Sequence, residues 1–306
     1  MNWTGVMPAM TTAFTPSGKL DHPVITRHAQ WMIGNGCSGI IALGSLGEAA
    51  TLTLAEKKDL LKTLVKALDG KAPLVAAISA LSTAEAVELA KIAHGEGASG
   101  LMVLPPYVYL GDWRETKAHV GAIFEATPLP GLLYNNPVAY GTDFVPEQIA
   151  ELAVDYPTFA AVKESSTDIR RVTAIRALVG DRIACMVGVD DSIVEGIGAG
   201  AIGWVAGLVN AFPRESVELF NLATAGKKDA AFELYSWFLP LLRLDTVRKF
   251  IHLIKQVNEE MGVGSALVRA PRLPLVGEEL AETRRILQYA LANRPKVAIA
   301  STPFAL

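Results

Sequence analysis

The stretch PLVAAISALSTAEAVELAKIAHGEGASGLMVLPP, residues 73–106, decides the fold. It opens on an apolar run, PLVAAIS (73–79), and closes on another, GLMVLPP (100–106). Between them Ser82-Thr83-Ala84-Glu85 matches the S/T-x-x-E capping box that starts a helix, and an amphipathic segment follows. Strand, helix, strand in roughly 30 residues is one βαβ unit. The same alternation runs in both directions from it. Upstream lie GVMPAMTTAF (5–14) and SGIIALG (38–44), with a second capping box at Thr53-Leu54-Ala55-Glu56. Downstream lie GLLYNNP (131–137), FAAVKES (159–165), RIACMVG (182–188) and AIGWVAG (201–207), and Asp112-Trp113-Arg114-Glu115 offers another helix start. Near-continuous hydrophobic strands imply burial on both faces, as in a parallel sheet.

Eight such units predict a (β/α)8 TIM barrel over residues 1–224. Residues 225–306 then form a C-terminal helical extension packed on the barrel. There, AAFELYSWFLPLLRLDTVRKFIHLIKQVNEEMG reads as two helices around Pro240, and GEELAETRRILQYALANR as a last one. An open doubly wound sheet is the competitor, but it usually carries a glycine-rich fingerprint after its first strand. TPSGKLD (15–21) is no such fingerprint.

Composition narrows the function classes. The chain is 51% hydrophobic and 19% charged with a formal net charge of −3 and no basic block, which argues against a nucleic-acid partner. No stretch approaches the roughly 20 uninterrupted apolar residues of a membrane helix. The N-terminus lacks the basic region of a signal peptide. Two cysteines, Cys37 and Cys185, lie in apolar surroundings and read as buried thiols of a reducing compartment. The expectation is a soluble, cytoplasmic protein.

In a (β/α)8 barrel, catalytic groups sit at the C-terminal ends of the strands. That rule selects GSLGEAAT (44–51), PPYVY (105–109), YNNP (134–137), KESS (163–166), GVDD (188–191) and Gly203. Lys163 stands out, because lysine is depleted in strands and almost never fully buried unless paired. Desolvation at an inner strand end would lower its pKa, and a neutral amine attacks carbonyls to form a Schiff base. A lysine snorkelling to the surface is the ordinary alternative. Tyr134, ending the neighbouring strand, is placed to relay protons, against the plainer reading of a core tyrosine. The GSLGE turn offers Ser45 and backbone N–H groups as a nest for a carboxylate, or is a plain strand-to-helix turn. The five histidines fall on helical segments, and Asp190-Asp191 alone is a weak metal signal, so no metal or cofactor is expected.

Taken together, GSLGE, YNNP and AVKESS resemble the dihydrodipicolinate synthase/N-acetylneuraminate lyase family of Schiff-base-forming lyases, in order and register from about Gly5 to Leu222. The resemblance implies a 2-oxo acid held as an imine on Lys163, with Tyr134 shuttling protons. It implies a carboxylate on Ser45 Oγ and the N–H groups of Ser45 and Leu46. It also implies a cofactor-free homotetramer built as a dimer of dimers. Gly188, Asp190, Asp191 and Gly203 complete the expected substrate contacts, and Tyr107, Val108, Asn136 and Ala139 the pocket wall. The synthases of the family usually carry a second hydroxyl residue where Leu46 stands. They also carry a tyrosine at Val108 and an arginine at Ala139, with Tyr109 or Tyr140 as replacements for the tyrosine. An alanine cannot make the arginine's bidentate carboxylate contact. LPPYVY, YNNPVAY and VKESSTDIRR resemble most the branch that dehydrates and deaminates 1-pyrroline-4-hydroxy-2-carboxylate, a substrate with one carboxylate. Dihydrodipicolinate synthesis, cleavage or dehydration of a 2-oxo-3-deoxy sugar acid, and a silent 2-oxo acid-binding barrel are the alternatives.

Overall fold

The computed structural model describes residues 1–295. Its strands are β1 (Gly5–Pro8), β2 (Ile40–Ala42), β3 (Leu74–Ile78), β4 (Gly100–Val103), β5 (Gly131–Asn135), β6 (Phe159–Glu164), β7 (Ala184–Val187) and β8 (Gly203–Ala206). They form one parallel sheet in the order β1-β8-β7-β6-β5-β4-β3-β2. The seam between β1 and β2 is closed by Ser38 N–H donating to Val6 O at 2.9 Å and Met10 N–H to Ile41 O at 2.8 Å. A parallel bridge between Ala9 and Ile41 lies beside them. The architecture is the expected (β/α)8 barrel. Every residue of β3 and β5 is buried, as strands covered on both faces require.

Around the sheet run α1 (His22–Gly34), α2 (Leu54–Leu68), α3 (Thr83–Gly95), α4 (Trp113–Glu125), the single turn α5 (Pro137–Tyr140), α6 (Pro146–Asp155), α7 (Arg170–Val179), α8 (Ile193–Gly198) and α9 (Pro213–Thr224). Thr53 and Asp112 close full capping boxes with Glu56 and Glu115. Ser82 accepts from Glu85 N–H without the reciprocal bond. Cys37 and Cys185 are buried free thiols. Among the described residues, no helix is long and apolar enough to cross a membrane.

Beyond the barrel lie α10 (Lys228–Leu242), α11 (Phe250–Glu260) and α12 (Gly277–Ala292), with α10 packed on α9 and α12. Residues 296–306 of the expected extension lie outside the described residues. One expectation is corrected. α10 runs through Pro240, and the break falls after Leu242 rather than at the proline. Pro240 sits in the last turn, where it forfeits only the bond to the Ser236 carbonyl. Leu234, Tyr235, Phe238, Leu241 and Leu242 meanwhile keep one face of the helix buried. The displaced break puts a short 3-10 turn, Arg243–Asp245, between α10 and α11.

Candidate active site

The β5–β6 register pairs Tyr134 with Lys163, so their side chains emerge next to each other at the C-terminal mouth of the barrel. Lys163 Nζ stands 4.0 Å from the centroid of the Tyr134 ring. Lys163 is buried, and among the described residues no carboxylate lies within ion-pair distance of it. Desolvation therefore lowers its pKa, against partial opposition from Asp245, Tyr140 and Asp190. Gly188 makes room for it. A Cβ there would lie 2.7 Å from Lys163 Cγ, 2.8 Å from its Cε and 2.0 Å from Ser165 Oγ.

Tyr134 accepts a hydrogen bond from Asn136 Nδ2 at 3.0 Å, and burial pushes its hydroxyl up to about 12. Asn136 Oδ1 accepts from Ala139 N–H at 3.0 Å, which starts the α5 turn. That turn carries Tyr140 over the mouth, edge-on to Tyr134 at 5.7 Å between ring centroids and 6.4 Å from Tyr107. The Tyr140 hydroxyl is hydrogen-bonded to Ser45 Oγ. Of the two candidate replacement tyrosines, Tyr140 reaches the site. Tyr109 is exposed and donates to Glu115 Oε2 at 3.0 Å.

The GSLGE turn is held open by two residues in the left-handed region, Leu43 (φ 63°) and Glu48 (φ 56°). Gly47 O accepts from Thr12 Oγ1 at 2.7 Å and Ser45 O from Glu48 N–H at 3.0 Å. Among the described residues, the N–H groups of Ser45 and Leu46 donate to no protein acceptor. Half-buried Ser45 and buried Leu46 thus present donors with nothing to bind.

Across the mouth stand three acids with different surroundings. Asp190 is fully buried and accepts from Trp204 Nε1 (3.1 Å), Gly207 N–H (3.1 Å) and Leu208 N–H (2.8 Å). Burial raises its pKa to about 6. These bonds fix the turn after β8, so its oxygens are committed to the fold. Asp191 faces Arg243 Nε at 3.4 Å. Asp245, from the turn after α10, has no hydrogen-bond or ion-pair partner among the described residues. Its carboxyl is pushed well above the ordinary range by burial and by Asp190 and Asp191, against Lys163.

Of the other expected residues, Val108 and Ala139 are exposed and Tyr107 is half-buried. Gly203 lies apart from the cluster. It opens β8, where a Cβ would meet Met186 Cε at 2.6 Å. The sequence reading missed Asp245 and Ser165. Ser165 Oγ is buried beside the Tyr134 hydroxyl without a well-formed hydrogen bond. It lies in the quoted KESS motif, whereas LRLDTVRK (242–249) has no local signal that would carry Asp245 to the barrel mouth.

The same architecture recurs in known proteins. The model of the Dihydrodipicolinate synthetase family matches residues 2–290. The 4-hydroxy-tetrahydrodipicolinate synthase of Methanococcus maripaludis (strain C6) is 32% identical over 94% of this chain and 98% of its own length. That of Pseudoalteromonas atlantica is 32% identical over 94% and 97%. Among solved structures, the 4-hydroxy-tetrahydrodipicolinate synthase of Methylacidiphilum fumariolicum superposes with a TM-score of 0.91 at 26% identity, covering 95% of this chain and 97% of that one. A chloride-inhibited dihydrodipicolinate synthase from Acinetobacter baumannii, solved with pyruvate, gives 0.89 at 28% identity over 94% and 99%. With a matched family model across nearly the whole barrel and extension, and relatives sharing both, this chain belongs to the dihydrodipicolinate synthetase family of lyases.

Proposed function

We propose that this protein is a lysine Schiff-base lyase of small 2-oxo and 2-imino acids whose substrate is 1-pyrroline-4-hydroxy-2-carboxylate. The neutral Lys163 amine attacks C2 of the cyclic imine, and the ring nitrogen departs as an amine on C5. Loss of a C3 proton gives an enamine, which expels the C4 hydroxyl as water. The double bond then shifts toward C5, forming an imine that water hydrolyses to release ammonia. A second hydrolysis frees 2-oxoglutarate semialdehyde from Lys163. Net, one water is consumed and one ammonia released. Ser45 Oγ and the N–H groups of Ser45 and Leu46 bind the carboxylate, and Tyr134 moves protons at the imine nitrogen. The chemistry needs no cofactor.

The observation that carries this substrate is the charge of the mouth. One nest of free donors faces one carboxylate, and the α5 turn offers only Ala139 where a second could be held. The rim formed by the turns after β7 and α10 carries Asp190, Asp191 and Asp245. Arg243, the cation on that rim, is occupied by Asp191. A second substrate carboxylate would find neither the arginine whose position Ala139 holds nor a free Arg243. The barrel, residues 1–224, carries the chemistry, and the extension, 225–306, finishes the rim. The active form is a cytoplasmic homotetramer, a dimer of dimers.

A second reading, condensation of pyruvate with aspartate semialdehyde, is favoured by the names of the relatives and by Tyr140 bonded to Ser45. Borohydride reduction with pyruvate or the hydroxypyrroline is expected to leave an adduct on Lys163, read by peptide mass spectrometry, and none in Lys163→Ala. Formation of 2-oxoglutarate semialdehyde from the hydroxypyrroline then separates the two. No turnover there, alongside condensation with aspartate semialdehyde, selects the second reading.

A further inference from the structure

We infer that Asp245, brought to the barrel mouth by the C-terminal extension, is the acid that protonates the departing hydroxyl. The inference rests on the Schiff-base elimination proposed above and adds the group that reaction still lacks. Lys163 is consumed as the imine, and Tyr134 is engaged at the nitrogen. A hydroxyl expelled from C4 needs a proton donor of its own to leave as water.

Position is the first support. Gly207 follows β8 with φ −93° and ψ −55°, a conformation open to any residue. Its lack of a side chain is explained by what fills the space. A Cβ there would lie 2.1 Å from Asp245 Oδ1, 2.5 Å from Cγ and 2.9 Å from Oδ2. The whole carboxyl group occupies the volume of the absent side chain, at the C-terminal end of an inner strand where catalytic groups gather.

Its lack of partners is the second. Asp190 spends its oxygens on Trp204, Gly207 and Leu208, and Asp191 faces Arg243. Asp245, half-buried at the mouth, alone of the three has no hydrogen-bond or ion-pair partner among the described residues, so its carboxyl is not committed to the fold. The charged and titratable groups acting on it are Lys163 from β6 and Asp190 and Asp191 from the turn after β7. Asp245 in turn acts on Tyr134 of β5. Burial and the two neighbouring carboxylates favour the protonated form, which a donor requires.

The step balances. The nitrogen lone pair of the enamine re-forms the iminium to Lys163, the C2–C3 π pair becomes the C3–C4 double bond, and the C4–O bond breaks. The Asp245 proton joins the oxygen, and water leaves. The resulting carboxylate recovers a proton from C5 as the double bond migrates toward the amine-bearing carbon.

The test uses Asp245→Asn in the full chain, with folding followed by circular dichroism. Pyruvate has no leaving group, so it isolates the early steps. Borohydride trapping of pyruvate on Lys163, and exchange of its methyl protons in D2O, are expected to persist in the variant. Turnover of the hydroxypyrroline is expected to fall by about 10²–10⁴-fold. Gly207→Ala, which displaces the carboxyl while leaving Asp245 in the chain, is expected to lose turnover in the same selective way. Near-native turnover in either variant overturns the assignment. So does a parallel loss of trapping and exchange in Asp245→Asn, because Asp245 would then be acting through Lys163. Absence of any adduct in the native protein is a separate result and fells the lyase reading itself.

Discussion

Lys163 depends on a neighbour with no side chain. Because Gly188 lies against its stem, Gly188→Ala crowds both the lysine and Ser165 out of their places. The expected result is slower borohydride trapping with the fold retained, measured as adduct formed against time. The lowered pKa of Lys163 also has a sign that can be checked. A depressed pKa leaves more free amine at a given pH, so the trapping rate should rise with pH and level off below the ordinary lysine value of about 10.4. An inflection at that ordinary value would refute the desolvated environment. Lys163 and Tyr134 were legible in the sequence because strand ends in a parallel barrel point at the mouth. Asp190 was legible as a position and misleading as a contact. The strand-end rule places its Cα, while its hydrogen bonds depend on Trp204 and the turn at 207–208, which only folding brings alongside.

The GSLGE turn and α11 are joined by an ion pair with no solvent exposure on either side chain. Lys255 Nζ donates to Glu48 Oε1 at 2.6 Å and to Thr12 O at 2.9 Å, and stands 4.5 Å above the Phe14 ring. Glu48 Oε2 accepts from Arg269 N–H at 3.0 Å. Held this way, Glu48 keeps its left-handed backbone, a strain of about 1–3 kcal/mol. Lys255→Met leaves the buried Glu48 carboxylate with Arg269 N–H and the Arg272 guanidinium at 3.6 Å, and the lost charged hydrogen bond is expected to destabilise by about 1.5–3 kcal/mol. Pairing it with Glu48→Gln should recover part of the loss, read as the thermal midpoints of the single and double variants. Arg269 also braces α2 through Glu56, with Nη2 to Oε1 at 2.6 Å. This contact holds the carboxyl at about 2 instead of 4.5. A depressed carboxylate stabilises the fold above its unfolded pKa, so the contribution is complete above about pH 4.5 and is lost as pH falls through about 2. Arg269→Ala should therefore unfold at higher pH in acid titrations followed by circular dichroism. Glu48 is part of the quoted GSLGE motif, yet its partner lies 207 positions away. No local pattern encodes that distance.

At the scale of the whole molecule, the barrel is a repeated local event, and the extension is a single long-range one. Leu110 lies against Gly141 beside the mouth, with its Cδ2 2.9 Å from where a Cβ at 141 would be, yet it remains 61% exposed, with Val108 and Val138 each 75% exposed. Where such side chains join into one patch, they mark a surface that another chain covers. With the tetramer proposed above, Leu110→Glu is expected to yield smaller species in sedimentation velocity, and an unchanged sedimentation coefficient would count against that assembly. By itself, the sequence determined the eightfold alternation, the strand that bears Lys163, the tyrosine beside it and the turn that offers free donors. Each of these follows from short-range periodicity and from the geometry that a closed parallel sheet imposes on strand ends. Only the tertiary structure decided that Tyr140 rather than Tyr109 meets Ser45, that Asp190 serves the fold, and that Asp245 reaches the mouth. Those outcomes depend on how the α5 turn and the end of α10 pack against distant strands, where desolvation and available volume select partners that no local spacing records.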